Sequence, residues 1–108
     1  MPTQALAQGS PLVILNAIVA PGTSATFAIP QTSRYKGRSL TFVFSSGGAP
    51  AFSANIDFSS DNATWKTNGA AVAALGAVSV QDISQAYGRV NVTALTTAAL
   101  TVTVYLDN

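Results

Sequence analysis

Leu100-Thr101-Val102-Thr103-Val104-Tyr105-Leu106 sets Leu100, Val102, Val104 and Leu106 on one side and Thr101, Thr103 and Tyr105 on the other. Period two in a run rich in β-branched residues is the pattern of a strand with one face in a core and the other toward water. Upstream, Val90, Val92 and Ala94 alternate in the same way with Arg89, Asn91 and Thr93. The link from Leu95 to Ala99 is short enough for a hairpin, so the two runs predict an antiparallel pair.

The same alternation recurs toward the N-terminus. Leu40, Phe42 and Phe44 alternate with Thr41 and Val43, and Phe52, Ala54, Ile56 and Phe58 alternate with Ser53, Asn55 and Asp57. Ser45 to Pro50, with Gly47-Gly48 inside it, is the turn between them. Further strands are predicted at Leu12 to Val19, Thr23 to Ile29 and Ala77 to Val80, while Ala70 to Leu75 offers at most one turn of helix. About seven or eight short strands in one chain of ordinary domain size predict an all-β, antiparallel β-sandwich. Residues 1–10 (MPTQALAQGS) are small, polar and without period, which suits a flexible N-terminal arm, leaving 11–108 as a single domain. The Leu12 to Val19 run differs from the rest. Leu12, Ile14 and Ile18 share one face and Val13, Leu15, Ala17 and Val19 the other, so it is expected to be buried twice, in the centre of the fold or at a subunit interface.

Charge is sparse. The 108 residues hold five bases (Arg34, Lys36, Arg38, Lys66, Arg89) and four acids (Asp57, Asp61, Asp82, Asp107), 8% in all, for a net charge of +1. Soluble domains carry roughly 25% charged residues. Low charge density and low net charge leave little to oppose association, which points to a surface that other chains cover. The longest apolar run, Leu12 to Ala20, is broken by Asn16 and ends at Pro21-Gly22. It is shorter than the roughly 20 residues of a membrane helix, and no basic residue precedes it as a secretory signal requires. Neither a membrane segment nor a signal peptide is expected.

Reaction chemistry has few candidates. Histidine and cysteine are both absent, which removes the commonest general base, the activated thiol and the usual transition-metal ligands. Asp57 and Asp61 form a close pair of the kind glycosidases use, and with Asn62 they offer oxygen ligands of the kind calcium takes. Beside Ser59, Ser60 and Asn62, however, aspartates make turn hydrogen bonds, and the spacing matches no calcium loop. No catalytic residue, cofactor site or metal site is assigned. Arg34-Tyr35-Lys36-Gly37-Arg38 gathers three of the five bases around one aromatic. Three charges are too few for the broad basic face of a nucleic-acid binder, so a loop that is solvated or pairs with acidic groups of a neighbouring subunit is the preferred reading.

Ile56-Asp57-Phe58-Ser59-Ser60-Asp61-Asn62-Ala63-Thr64-Trp65 reads as a strand, a tight polar turn and a tryptophan opening the next strand. It differs from the Asp-box of sialidases in length and in having Ala63 where that motif has glycine. Taken with Asp82 to Ala94 (DISQAYGRVNVTA), the pattern, over residues 40 to 106, resembles small β-sandwich proteins of tailed-bacteriophage virions. Size, scarcity of charge and the arm are most similar to the capsid decoration, or cement, proteins of short-tailed phages. The resemblance implies a jelly-roll-like sandwich, made in the host cytoplasm, that sits on the virion as a dimer or trimer. Its partners would be copies of itself and the major capsid protein, whose junctions it bridges without turnover, and no membrane is involved. The expected contacts are the arm with Leu6, the first strand with Val13 and Leu15, and the loop residues Arg34, Tyr35, Lys36 and Arg38. Phe42, Phe44, Ile56, Trp65, Val90, Val92, Val102 and Val104 are expected to form the core. The alternative is a carbohydrate- or receptor-binding module, or another component, of a phage tail, with Trp65, Tyr35 and Tyr87 exposed for sugar stacking.

Overall fold

Alternation in the sequence becomes pairing in space. The computed structural model describes residues 4–6, 11–29 and 38–107. Among these the chain is all-β, with no helix. The strands are β1 (Gln4–Ala5), β2 (Leu12–Ile18), β3 (Gly22–Thr23), β4 (Phe27–Ala28), β5 (Arg38–Ser45), β6 (Ala51–Ser59), β7 (Lys66–Thr67), β8 (Gly76–Ile83), β9 (Tyr87–Thr96) and β10 (Leu100–Leu106). One sheet runs β2-β10-β5-β8; the other runs β1-β4-β9-β6-β7, with β3 also on β9. All pairings are antiparallel except the parallel contact of β1 with β4.

The pairings are nested. β2 pairs β10, β3 and β4 pair β9, β5 pairs β8, and β6 pairs β7. The chain is thus a long hairpin with its tip at residues 60–65, and its successive tiers fall alternately into the two sheets. The alternating apolar faces meet between the sheets in one core containing Leu40, Phe42, Phe44, Val102 and Val104 from the first and Phe27, Phe52, Ile56, Phe58, Val90 and Val92 from the second. Phe42 bridges the layers, its ring centroid 6.0 Å from Phe27 and 6.4 Å from Phe58, and Phe44 stacks on Phe52 at 5.7 Å. Such tilted and offset contacts add to what burial alone contributes.

Several expectations are corrected. The hairpin expected from the last two strands does not form: β9 pairs β3, β4 and β6 in one sheet and β10 pairs β2 and β5 in the other, so residues 97–99 cross between the layers and the two apolar faces meet across the core instead of side by side. The first strand does not lie in the centre of the fold: β2 is an edge strand, paired only with β10 among the described residues. Leu12, Leu15 and Ile18 lie opposite Val104, Val102 and Leu100, while Val13 lies opposite Thr103. Two register shifts insert extra residues into β2, so the residues it turns to the core, Leu12, Ile14, Leu15 and Ile18, do not follow strict alternation. The apolar residues on both sides of a uniform period-two strand are therefore a product of the bulges, with Val13 left 52% exposed. The strand expected over Thr23 to Ile29 is broken into β3 and β4. At the break the Val90 N–H donates to Ser24 Oγ at 2.9 Å, so a hydroxyl accepts where a strand carbonyl is missing. In β9 a shift between Ser53 and Ala54 of the partner turns Ala94 outward and Leu95 inward, reversing the expected faces there. Residues 70–75 form no helix; Val72 bridges Ala54 instead. Trp65 is half-buried outside the core, its ring covered by Arg89 on the outer face of the sheet.

Candidate interaction surface

Strand polarity sorts the charges. Arg38 opens β5 opposite Ile83, Asp82 closes β8, Asp57 lies opposite Arg89, Lys66 lies opposite Phe58, and Asp61 and Asp107 sit in the adjoining turn and tail. All of these belong to one end of the fold. At the other end, residues 19–21, 46–50, 73–75 and 97–99 connect the strands without a single charged side chain. Val19 is 78% exposed there. Thr97 at the same end holds φ 86°, a left-handed conformation that a β-branched side chain resists.

The charged end is internally satisfied. Asp57, almost wholly buried, accepts from Thr67 Oγ1 at 2.9 Å through one oxygen and from Arg89 Nε at 3.2 Å through the other. The Arg89 guanidinium also lies 4.3 Å from the centre of the Trp65 ring, a cation–π contact. In the next turn Ser59 Oγ, Ala63 N and Thr64 N all donate to Asp61 Oδ1 at 2.8–2.9 Å, and Ser59 Oγ accepts from the backbone N–H groups of Asp61 and Asn62. The backbone donors Thr64 and Ala63, followed by the Ser59 hydroxyl, lower the Asp61 pKa from 3.8 to about 2. A carboxyl held ionised in this way does not donate a proton at neutral pH, which removes it as a glycosidase acid. Its bonds are those of the turn itself. Among the described residues no three His, Cys, Asp or Glu side chains gather as a metal site. A shallow cleft of about 430 Å³ opens beside this turn, lined by Ser59, Asp61, Thr64, Lys66 and Gln85 among others.

The outer face of the four-stranded sheet has a different chemistry. A row of directly opposed residues crosses it from Val13 through Thr103 and Val43 to Ala77. Tyr105, Thr41 and Ser79 form the next row toward the charged end, and Thr101 lies opposite Ser45 on the other side. Thr41 Oγ1 donates to Asp107 Oδ2 at 2.7 Å, which places that carboxylate at the rim of this face. Exposed or half-buried throughout, these rows hold no charged residue and are composed of valine, alanine, tyrosine and hydroxyl side chains. The outer face of the other sheet instead carries Asp57, Arg89, Asn55 and Asn91, with Thr23 donating to the Asn91 side chain.

The expected contact residues divide three ways. Val13 is on the uncharged face. Leu6 and Leu15 are only 3% and 8% exposed, inside the chain's own core, so they offer no contact surface. Leu6 is drawn in because its N–H donates to the Ala28 carbonyl at 2.9 Å, continuing the β1–β4 pairing. Arg34, Tyr35 and Lys36 lie outside the described residues, and Arg38 is placed by its backbone at the start of β5. The sequence reading missed Val43, Thr103, Ala77 and Val19 as surface candidates. Their signal was present in the stretches without charge, but only strand register shows that these stretches adjoin. Comparison of the chain with protein-family models, with curated proteins and with solved structures finds no match.

Proposed function

We propose that this chain is a non-catalytic structural protein that binds the outside of a bacteriophage capsid and stabilises it by bridging major capsid proteins. The observation that carries the reading is the uncharged outer face of the β2-β10-β5-β8 sheet, with the Val13, Thr103, Val43 and Ala77 row at its centre. A solvated sheet face ordinarily carries charges, and the rows across this face hold none. Covering one exposed valine contributes about 1.5 kcal/mol, close to tenfold in a single-site constant. Contacts this weak hold when many copies engage one lattice together. The nested hairpin pairings, wrapped alternately into two sheets, support reading the sandwich as a jelly roll, an architecture common in viral capsid domains.

The test is electron microscopy of emptied short-tailed-phage capsids incubated with the chain. The reading requires ordered occupancy over capsomer junctions and delayed rupture, both lost in Thr103→Lys, whose side chain faces outward and whose fold is checked by circular dichroism. Absence of ordered sites, or equal occupancy by the variant, overturns it. A second reading, a carbohydrate-binding module of a phage tail, draws on Trp65 lying outside the core between Thr64 and Lys66, two of the residues that line the 430 Å³ cleft. Glycan-array binding abolished by Trp65→Ala without unfolding selects that reading instead.

A further inference from the structure

The two edges of the four-stranded sheet are built differently. β2 has two register shifts and Ala17 at φ 50°, so its free rim is bent, a form in which natural edges resist added strands. β8 has such irregularities only at its ends, Gly76 at φ 130° and a register shift beyond Val80. Its register with β5 is regular from Gly76 to Val80, the shift lying beyond Val80, and it holds no lysine, arginine or proline. Among the described residues β5 is its sole partner. Its outward side chains Ala77 and Ser79 are small and exposed, and Val78 on the inner face is only half covered at the margin of the core.

We infer that β8 is a self-association edge, pairing antiparallel with β8 of a second copy to make one continuous eight-stranded sheet across a two-fold axis. The inner faces of both copies must lie on the same side of the joined sheet, so residues of like orientation oppose one another and the axis passes through a residue position, at or beside Val78. Centred on Val78 or Ser79, the pairing sets Asp82 opposite residue 74 or residue 76 of the second copy, so no like charges meet. The flank from Thr67 to Gln81 is uncharged on both sides of the join. A charged peptide has nothing here to recognise, whereas an identical uncharged strand is complementary to it in backbone, charge and side-chain size. Val78 of each copy then covers the other's exposed margin. The inference rests on the edge itself and not on the capsid reading, although the joined sheet would double the uncharged face.

Sedimentation equilibrium on the full chain tests it, across roughly 1 to 200 µM, where small interfaces associate. The mass is expected to rise from 11.0 kDa toward twice that value. Ala77→Lys/Ser79→Lys, which opposes like charges in either register, is expected to remain monomeric with an unchanged circular dichroism spectrum, whereas Thr103→Lys still dimerises. Because the chain has no cysteine, Ala77→Cys, Val78→Cys and Ser79→Cys introduced singly give an independent readout that does not need the charged variant to fold. One of the three is expected to form an intermolecular disulfide at least tenfold faster than Ser45→Cys. A monomer throughout the range, a dimer that survives the double lysine variant, or cross-linking no faster than the Ser45 control overturns the inference. A dimer without capsid binding leaves this inference standing and removes only the proposed function.

Discussion

Gly88→Ala adds one methyl group where β4 and β9, neighbours in one sheet, bring the Phe27 ring over the β9 backbone. Gly88 lies on β9 opposite Phe27 on one side and Phe58 on the other. A Cβ there would fall 2.5 Å from Phe27 Cζ, 2.8 Å from Cε1 and 3.2 Å from Cε2. Carbon atoms rest about 3.5–4.0 Å apart, so the ring must retreat by about 1 Å. It has nowhere to go: Phe27 is fully buried, with the Phe42 ring 6.0 Å away at 54° on its far side. Overpacking of this kind costs about 1–3 kcal/mol. Replacing glycine by alanine returns about 0.4–1 kcal/mol by restricting the unfolded chain. The net expectation is a loss of about 1–2 kcal/mol, a melting temperature lower by roughly 5–10 °C for a domain of this size. Urea denaturation followed by circular dichroism measures it, and Phe27→Leu supplies the second arm of a double-mutant cycle. The shorter side chain vacates the contested space, so Gly88→Ala should cost at least about 1 kcal/mol less in the Phe27→Leu background. A Gly88→Ala protein as stable as the parent, or strictly additive effects, refutes the close approach of Phe27 to the β9 backbone.

Thr97→Gly relieves the left-handed φ of 86° and should stabilise the fold by about 0.5–1 kcal/mol in the same assay, whereas Thr97→Val should not. Asp61 has a folded pKa of about 2, below its ordinary 3.8. Its contribution is therefore complete above the ordinary value and is lost as pH falls toward 2. The urea midpoint should fall over that window, less steeply in Asp61→Ala, and an identical pH slope in the variant rejects the turn assignment. Arg89→Ala takes one donor from buried Asp57 and uncovers Trp65. A loss of about 1–3 kcal/mol is expected, together with a red shift in the emission of the single tryptophan, and unchanged emission would contradict the stacking.

Much of the fold was legible because a half-buried strand writes its two faces into adjacent residues. β5, β6 and β10 were recovered from alternation alone, and the turn at residues 46–50 from its glycines and proline. Where a strand departs from strict alternation, local reading fails. β2 carries leucine, valine and isoleucine at almost every position, and nothing in Leu12 to Ile18 marks where its bulges fall. Those are fixed by which residues of β10 it meets. Leu6 looked like part of a free arm for the same reason, since its burial depends on a carbonyl of Ala28, distant in sequence.

The amino-acid sequence alone determined that the chain is all-β, poor in charge and without histidine or cysteine, because composition and a two-residue period are local quantities. Only the tertiary structure decided that, among the described residues, the charges collect at one end, that an uncharged row runs from Val13 to Ala77, and that β8 lacks a second neighbour while β2 is bent. Those properties belong to pairs of residues far apart in the chain, and strand register, which hydrogen bonding and core packing set together, is what brings them side by side.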